Sequence, residues 1–591
     1  MVVDFSWIYA LYSIDPRAVW KGQLVLLLAL VAAAAVLVLP VNLESGALRW
    51  LKRSGVTSIL VIVGLEFAFL LRYLLYPSYL NHTEAANAAV AWLGWEGYPL
   101  YPRLDTGDVY GLQYGPAFYQ VTGFFLWLLG PLTAASKIPG LIAFTLSQVL
   151  SFVTLRRMGG GAGEALAMTG VQCLVLAGFT DQGFAAGVRP DAFLFLAAQA
   201  AVLIATYAPT MVTAGALGLL GGICVNLKIH GGLYILPAFV YQLCRSPGIG
   251  VGLRLSCVAG LTGAIALAVP FFPNNVSTSE YYQYFQILQH HPWNKWLFAQ
   301  NIVFVGMCVV PLFLMYTLFT PRLPRVFSWF VTALVLCMTM VTFPAAVSGA
   351  GPHHLLPFLP SVVLGFVVMR REVALTLRDL RARGRYEGLS LGLIAAFLFG
   401  YGPIAITSWG TVLNRFADAS LVTQGIVEIN RALDENPGLT VAVGPGAGSF
   451  DAHRLRVIPV FRGNPLPIDS TAWLDLEADG ISDEVIRRAI QECRIDLWLL
   501  PSNAPFVTMS HYHEGNIYSK GVLADFHATY EKQLSGRVFD QWRCKRDYDA
   551  SVHPNSGSWS RIAWLWEDIS STFTCRIRPP VSVVADRVGG L

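Results

Sequence analysis

The chain has 591 residues, of which 54% are hydrophobic and only 13% are charged, and its mean hydropathy is +0.52. Soluble proteins usually carry about 25% charged residues, so this composition excludes an ordinary soluble protein and predicts an integral membrane protein. The formal net charge of +4 is too small to indicate a nucleic-acid partner.

Apolar runs long enough to span a bilayer recur along the first 408 residues. A spanning helix needs roughly 20 mostly apolar residues, which predicts about 12 of them. They lie near residues 22–40, 56–76, 138–155, 163–180, 191–207, 210–228, 231–244, 253–272, 298–319, 326–345, 354–370 and 389–408. No small-residue cleavage site follows the first run, so we interpret it as an anchor rather than a signal peptide.

The run at 116–133 is rich in aromatic residues and is bounded by Pro116 and Pro131. It can cross the membrane or lie at its surface. Basic clusters favour the cytoplasmic side, and they all fall on one side only if 116–133 does not cross. These clusters are Arg49/Lys52/Arg53, Arg156/Arg157, Arg245/Arg254, Arg322/Arg325, and Arg370/Arg371 through Arg385. We therefore expect a surface helix, with 77–137, 181–190, 273–297, 346–353 and everything after 408 on the extracytoplasmic face.

The polar composition after Trp409 predicts a separate soluble α/β domain at 409–550, followed by an irregular tail at 551–591. TVAVGP (440–445) and DLWLLP (496–501) have the pattern of short strands, and Ser482 is placed to cap a helix over 482–493. A disulfide among Cys493, Cys544 and Cys575 requires that this domain be exported. Before it, residues 1–55 hold an extra helix and a cytoplasmic loop, and 56–408 form the main membrane region.

The first predicted outer loop combines acids, one arginine and several aromatic rings. Glu84 begins an alanine-rich helix directly after a spanning segment, where a carboxylate can take a proton from an attacking hydroxyl. Arg103 is a candidate phosphate ligand. Aromatic rings beside acids and amides suit sugar rings, which makes Tyr98 and Tyr114 candidate sugar contacts. The alternative for Glu84 is structural, because the helix dipole favours an acid at a helix N-terminus.

The second outer segment, GVRPDAF, places Arg189 and Asp191 on either side of Pro190 at the start of a spanning helix. Proline fits the first turn of a helix, and an acid there is favourable for capping. Arg189 can pair with Asp191, or it can bind a phosphate through its planar fork of donors. We predict both residues to be part of a site.

Two further outer junctions carry ionisable residues inside apolar sequence. In NLKIHGG, Lys228 can neutralise a lipid phosphate or extend to the membrane surface, and His230 follows it. In GPHHLLPFLP, His353 and His354 lie at the mouth of a helix. Adjacent histidines point in different directions, so we expect hydrogen bonds to a substrate or to loop carbonyls rather than a shared metal ion.

In order and spacing, these motifs resemble the GT-C superfamily of membrane glycosyltransferases, especially the bacterial branch related to protein O-mannosyltransferases and the lipid A aminoarabinose transferase. The resemblance covers about residues 56–408. It rests on HTEAANAAVAWLGWEGYPLY, LQYGPAFY, GVRPDAF, NLKIHGG and GPHHLLPFLP. Family members often carry an acidic pair where this chain has Thr83 and Glu84, which leaves one acid here.

The resemblance implies an inverting enzyme that moves a monosaccharide from a polyprenyl phosphate to a glycan, glycolipid or protein acceptor. Glu84 would be the general base, and Arg189, Lys228 and Arg103 would hold the donor phosphate. No metal or cofactor is predicted, and the location would be a bacterial inner membrane. Two alternatives stay open from the residues alone: a lipid or solute transporter, and a non-catalytic membrane assembly protein.

Overall fold

The computed structural model describes residues 45–104, 107–111, 114–180, 187–287, 291–319, 325–376, 401–402, 404–444, 452–478, 480–506 and 515–545. The predicted first span at 22–40, most of the predicted span at 389–408, the tail at 551–591 and Cys575 lie outside the described residues.

Among the residues that the structure describes, the regular elements of the membrane region are helices. Its helices are α1 (Ser45–Leu75), α2 (His82–Trp95), α3 (Pro116–Leu129), α4 (Thr133–Arg157), α5 (Ala162–Ala177), α6 (Asp191–Ala205), α7 (Met211–Leu227), α8 (Gly232–Cys244), α9 (Ile249–Ala268), α10 (Thr278–Ile287), α11 (Lys295–Phe319), α12 (Arg325–Thr342) and α13 (Leu359–Thr376). Short 3-10 turns occupy Val269–Phe271, Pro344–Ala346 and Pro352–Phe358, and residues 404–417 are also helical.

Five helical segments among the described residues are long and apolar enough to cross a membrane, namely Thr133–Arg157, Ile249–Phe271, Lys295–Phe313, Arg325–Ala346 and Pro352–Met369. Five shorter apolar helices, α3 and α5 to α8, accompany them. The protein is therefore a multi-pass helical membrane protein, as its composition predicts. The total of about 12 spans stays a prediction.

The two ends of the helical bundle can be told apart by their contacts. At one end, Lys137 near the start of α4 donates to the backbone carbonyls of Tyr73 and Ser78 at the end of α1, so α2 and α3 make no net crossing between them. At the other end, the Arg157 side chain donates to Thr206 after α6, and Arg245 donates to the carbonyl of Tyr207. The arginine-rich ends thus lie together, as expected if α3 is a surface helix.

The C-terminal region contains short helices and a mixed sheet. In chain order it comprises α14 (Ala419–Glu435), β1 (Val441–Val443), α15 (Val457–Phe461), α16 (Ser470–Ala478), α17 (Glu484–Gln491), β2 (Leu497–Pro501), α18 (Lys520–Thr529), β3 (Tyr530–Ser535) and β4 (Phe539–Cys544). The sheet order is β1-β2-β4-β3. The two predicted strands, β1 and β2, pair in parallel, with Val441 opposite Leu497, and a disulfide joins Cys493 to Cys544.

Two arginines of the C-terminal region reach the segment between α1 and α2 and the start of α2. Arg456 donates to the His82 carbonyl at the first residue of α2 (2.6 Å) and forms an ion pair with Asp469 (3.0 Å). Arg454 donates to the Tyr79 carbonyl (3.4 Å). Both side chains are buried, so the C-terminal region helps to set the position of α2. A separate soluble domain beginning at 409 stays a prediction.

Candidate functional site

Glu84 lies in the first turn of α2, and a capping box explains why the helix begins there. The Asn81 side chain accepts the Glu84 backbone N–H (3.1 Å), and the Glu84 carboxylate accepts the Asn81 backbone N–H (3.2 Å). The second carboxylate oxygen accepts the Tyr73 hydroxyl and the Val188 backbone N–H (3.0 Å). The side chain is fully buried.

The surroundings of Glu84 act on its pKa in opposite directions. Burial raises the pKa of Glu84, while the hydrogen bonds from Tyr73 and Val188 and the charges of Lys137 and Arg189 lower it. The net direction is upward. Tyr73, Asn81 and Val188 all donate to the carboxylate, and donors stabilise its ionised form. These three donors therefore favour the ionised form of Glu84, against the opposing effect of burial.

The Val188 peptide connects Glu84 to a cluster of charges. Its N–H donates to Glu84, and its carbonyl accepts the Asn87 side-chain amide (2.7 Å). Arg189, the next residue, forms an ion pair with Asp191 (Nε to Oδ2, 3.1 Å). Lys228 binds the other oxygen of Asp191 (Nζ to Oδ1, 2.7 Å). The loop before α6 and the end of α7 thus meet beside the start of α2.

Three histidines extend this charged cluster. Arg189 Nη2 lies 3.1 Å from His353 Nε2, the His353 and His354 ring centroids are 4.5 Å apart, and the His354 ring stacks on His230 at 5.4 Å. Burial, together with the nearby charge of Lys228, lowers the pKa of His230 to about 3, so that ring is neutral at pH 7.

Within this cluster, three imidazole nitrogens are buried without a hydrogen-bonding partner. They are Nε2 of His230, Nδ1 of His353 and Nδ1 of His354. Buried polar atoms normally have partners, and an orphaned one in a native protein calls for an explanation such as a bound water or ligand. The histidine side of the cluster therefore has the chemistry to bind a polar ligand.

The aromatic candidates divide between this cluster and the surface. The half-buried Tyr114 ring lies 5.6 Å from Lys228 Nζ, and its hydroxyl also interacts with Arg189. Tyr98 is 45% exposed, and Arg103 is exposed as well. The structure brings together Glu84, Arg189, Asp191, Lys228, His230, His353, His354 and Tyr114. It places Tyr98 and Arg103 at the surface, and their predicted roles are untested.

Gly115 is a site residue that the sequence did not single out. It precedes α3 and approaches the end of α7 so closely that a Cβ atom there would overlap the backbone carbonyl of Asn226. Asn226 in turn accepts the Ala117 backbone N–H through its side chain (2.8 Å). Only glycine permits this approach, which holds Tyr114 beside Lys228. The sequence signal was the YGP turn itself.

Within the described ranges, no group of three or more histidine, cysteine, aspartate or glutamate side chains is arranged to hold a metal ion. The charged groups of the cluster pair with each other instead, since Asp191 binds both cations. One negative and two positive side chains leave the cluster with an excess of positive charge, which suits an anionic ligand.

Comparisons with known proteins find a likeness in structure but none in sequence. No protein-family model and no curated protein sequence matches it. Among solved structures, it is similar to ArnT from Cupriavidus metallidurans in the apo state, with 13% sequence identity, a TM-score of 0.49, and coverage of 82% of this chain and 97% of that chain. At this identity and TM-score, the likeness carries no residue role, substrate or reaction over to this chain.

Proposed function

We propose that this chain is an inverting glycosyltransferase that moves a monosaccharide from a polyprenyl phosphate to an extracytoplasmic glycan, lipid or protein. The observation that carries the proposal is the pair of consecutive residues Val188 and Arg189. The Val188 N–H binds the buried Glu84 carboxylate, and Arg189 belongs to a positively charged cluster at the same end of the membrane bundle. A base beside an anion site is the pairing that glycosyl transfer from a phosphate requires.

The cluster has the charges to bind the phosphate of the donor. In this proposal, Arg189 and Lys228 contact the phosphate, and Asp191 keeps both cations in place by binding one with each of its oxygens. As the bond from the sugar to the phosphate breaks, negative charge grows on the leaving phosphate, and fixed cations stabilise that charge. The orphaned nitrogens of His230, His353 and His354 provide hydrogen bonds to the sugar or phosphate oxygens.

Glu84 is the proposed base. It takes the proton of the acceptor hydroxyl, whose oxygen bonds to the anomeric carbon from the face opposite the phosphate, and the phosphate leaves with the electron pair of the broken bond. The Glu84 oxygens are already occupied by Tyr73, Val188 and Asn81. A carboxylate has about four lone-pair sites, and among the described residues Oε1 accepts only the Asn81 N–H, so one site remains there for the acceptor hydroxyl.

Two features support an extracytoplasmic site. The arginine-rich helix ends lie at the opposite end of the bundle from Glu84, and basic residues favour the cytoplasmic side. The C-terminal region, which contacts α2 near Glu84, holds the Cys493–Cys544 disulfide. Disulfides form and persist in exported parts of proteins, so this bond agrees with a location outside the bacterial inner membrane.

Deleting the gene and restoring it as wild type or as Glu84→Gln tests this function. The amide keeps the shape of the side chain but cannot act as a base, so we expect a polyprenyl-phosphate monosaccharide to accumulate in the deletion and in the Glu84→Gln strain. Mass spectrometry of the extracted lipids measures this. With the purified enzyme and the lipid so identified, loss of a general base lowers kcat by roughly 10²–10⁴-fold.

Glu96→Gln is the matched control, because Glu96 is an exposed acid at the C-terminal end of the same helix. That variant should clear the donor lipid like the wild type. Full transfer by Glu84→Gln would exclude Glu84 as the base. Normal lipids in the deletion strain, or movement of a lipid across vesicles without a transfer product, would overturn the glycosyltransferase proposal and favour an assembly protein or a transporter.

A further inference from the structure

Lys137 is a buried cation that lies outside the phosphate cluster. It occupies the second turn of α4, and its side chain is fully buried although it lies in an apolar helix. Charged side chains within membrane helices are costly, so a buried one requires compensating partners and is a candidate for a functional role. The partners of Lys137 belong to the segment that leads from α1 to Glu84.

The Lys137 ammonium group donates to three backbone carbonyls: those of Tyr73 (2.9 Å), Tyr76 (2.8 Å) and Ser78 (2.5 Å). An ammonium group has three N–H donors, whereas a neutral amine has two, so three carbonyl acceptors favour the charged form. Through these contacts Lys137 fixes the chain as α1 ends and turns towards α2.

Tyrosine rings surround the same ammonium group. Its Nζ atom lies 4.1 Å from the ring centroid of Tyr73, 5.8 Å from that of Tyr76 and 5.4 Å from that of Tyr79. The negative faces of aromatic rings attract cations, and the attraction is stronger in a dry site. The Tyr73 ring that lies against Lys137 also carries the hydroxyl that donates to Glu84.

We propose that Lys137 is a positioning residue for Glu84: it holds the Tyr73–Ser78 segment in place and supplies the positive charge that keeps the Glu84 carboxylate ionised in a dry pocket. This role rests on the proposed function of Glu84 as a base. It explains how a fully buried acid can be ready to take a proton.

Other ionisable groups also face this pair, and each has a partner that limits its effect. Tyr79 shares a hydrogen bond with Ser136 (3.0 Å), and the Arg454 guanidinium lies 3.4 Å from the Tyr76 hydroxyl. Arg189 acts on Glu84 from the loop before α6 but forms its ion pair with Asp191. Lys137 is the described cation that contacts the Tyr73 ring and backbone directly, and the Tyr73 hydroxyl donates to Glu84.

Infrared spectroscopy of the full-length protein in lipid vesicles tests the inference without needing turnover. The difference between wild type and Glu84→Gln isolates the band of the protonated Glu84 acid, and its disappearance with rising pH gives the pKa of Glu84. In the wild type we expect Glu84 to be ionised at pH 7. In Lys137→Met the same titration should move up by about one pH unit or more, because a nearby opposite charge favours the ionised form.

Lys137→Gln keeps amide donors for the backbone carbonyls while removing the charge, so it should show the same shift if the methionine variant does not fold. Lys295→Met, which removes an exposed lysine at the start of α11, is the control and should leave the titration unchanged. A protonated Glu84 in the wild type at pH 7, or an unchanged titration in a folded Lys137 variant, would overturn the inference.

The titration also separates this inference from the proposed function. A shifted Glu84 titration in a protein that transfers no sugar would leave the coupling between Lys137 and Glu84 standing and would count against glycosyl transfer. Transfer by the wild type, together with an unshifted titration in the Lys137 variants, would support glycosyl transfer and would overturn the coupling between Lys137 and Glu84.

Discussion

The Glu84 end of the bundle, which is the outer end in the proposed topology, and the middle of the bundle bury polar side chains in different ways. At the outer end, the ionisable residues Glu84, Lys137, Arg189, Asp191 and Lys228 lie within one network. In the middle, the buried polar residues of α4 to α6 are uncharged and bind each other: Ser151 donates to Gln172 (2.6 Å), Cys173 to Gln148 (3.2 Å) and Gln199 to Thr154 (3.4 Å).

The difference shows that the buried ionisable residues are concentrated at the Glu84 end of the bundle. Uncharged hydrogen bonds between helices contribute modestly to packing in membranes, whereas ionisable residues there are usually functional. Glu66 on α1 is the exception below the outer end, and it is held by Thr180 (2.9 Å) and by the Trp409 indole (2.8 Å). The following four predictions test the contrast, from the largest expected effect to the smallest.

Asp191→Asn should cause the greatest loss of stability, because it leaves Arg189 and Lys228 buried together without their shared counter-charge. Breaking a buried ion pair by removing one partner costs about 3–5 kcal/mol. Unfolding of the purified protein by denaturing detergent measures the change. A loss no greater than that of a substitution in the middle of the bundle would contradict the contrast between the two regions.

Gly115→Ala should disturb the outer end by about 1–3 kcal/mol, as overpacking does, because the new methyl group must displace the Asn226 backbone. Thermal unfolding in detergent provides the measurement. Gly64→Ala in α1 is the matched control, since no atom lies within 4 Å of a Cβ atom built there. Equal stability of the two variants would show that α3 can move away from α7 without cost.

Transfer activity should rise with pH, because the base must lose its proton and burial holds the pKa of Glu84 above its ordinary value. Tyr73→Phe removes one donor to the carboxylate and should move this rise to higher pH, by on the order of one unit. The pH profile of kcat measures the shift. A profile that keeps its midpoint would mean that the Tyr73 hydrogen bond does not set the pKa.

The raised pKa of Glu84 also determines the direction in which the stability of the protein changes with pH. The folded chain holds the Glu84 proton more tightly than the unfolded chain does. The free energy of unfolding contributed by this residue therefore falls as pH rises from the unfolded pKa towards the folded one.

Gln172→Leu should have the smallest effect, about 0.6 kcal/mol, which is the average for one hydrogen bond between membrane helices. It removes the acceptor of the Ser151 hydroxyl in the middle of the bundle. The same detergent unfolding series provides the measurement. A loss comparable to that of Asp191→Asn would mean that the middle of the bundle is as sensitive as the outer end.

Many helix positions could be predicted from the sequence, and so could the grouping of some helix ends. The apolar runs predicted the helices, and the arginine clusters predicted that the ends near Arg157 and Arg245 lie together, because hydropathy and charge bias are read along the chain. Strands β3 and β4 were not predicted, since YEKQLS and FDQWRC lack the alternation of apolar and polar residues that marks a half-buried strand.

The site was predictable in its charged members and not in their partners. Arg189, Asp191 and Lys228 stand out because each interrupts apolar sequence. Their shared contacts depend on how distant helices pack, which no local pattern shows. Lys137 was missed because a single lysine after PLTAAS looks like an ordinary surface anchor. A structural role for Glu84 at a helix N-terminus was predicted as the alternative, but its capping box with Asn81 and its contact with Val188 were not.

The Val188 peptide fixes the backbone from which the Arg189 side chain extends. Its carbonyl is held by Asn87 and its N–H by Glu84, on opposite edges of one planar group. The guanidinium of the proposed phosphate site therefore starts from a backbone position that α2 determines. Deuterium uptake at the Val188 amide should accordingly be slow in the folded protein.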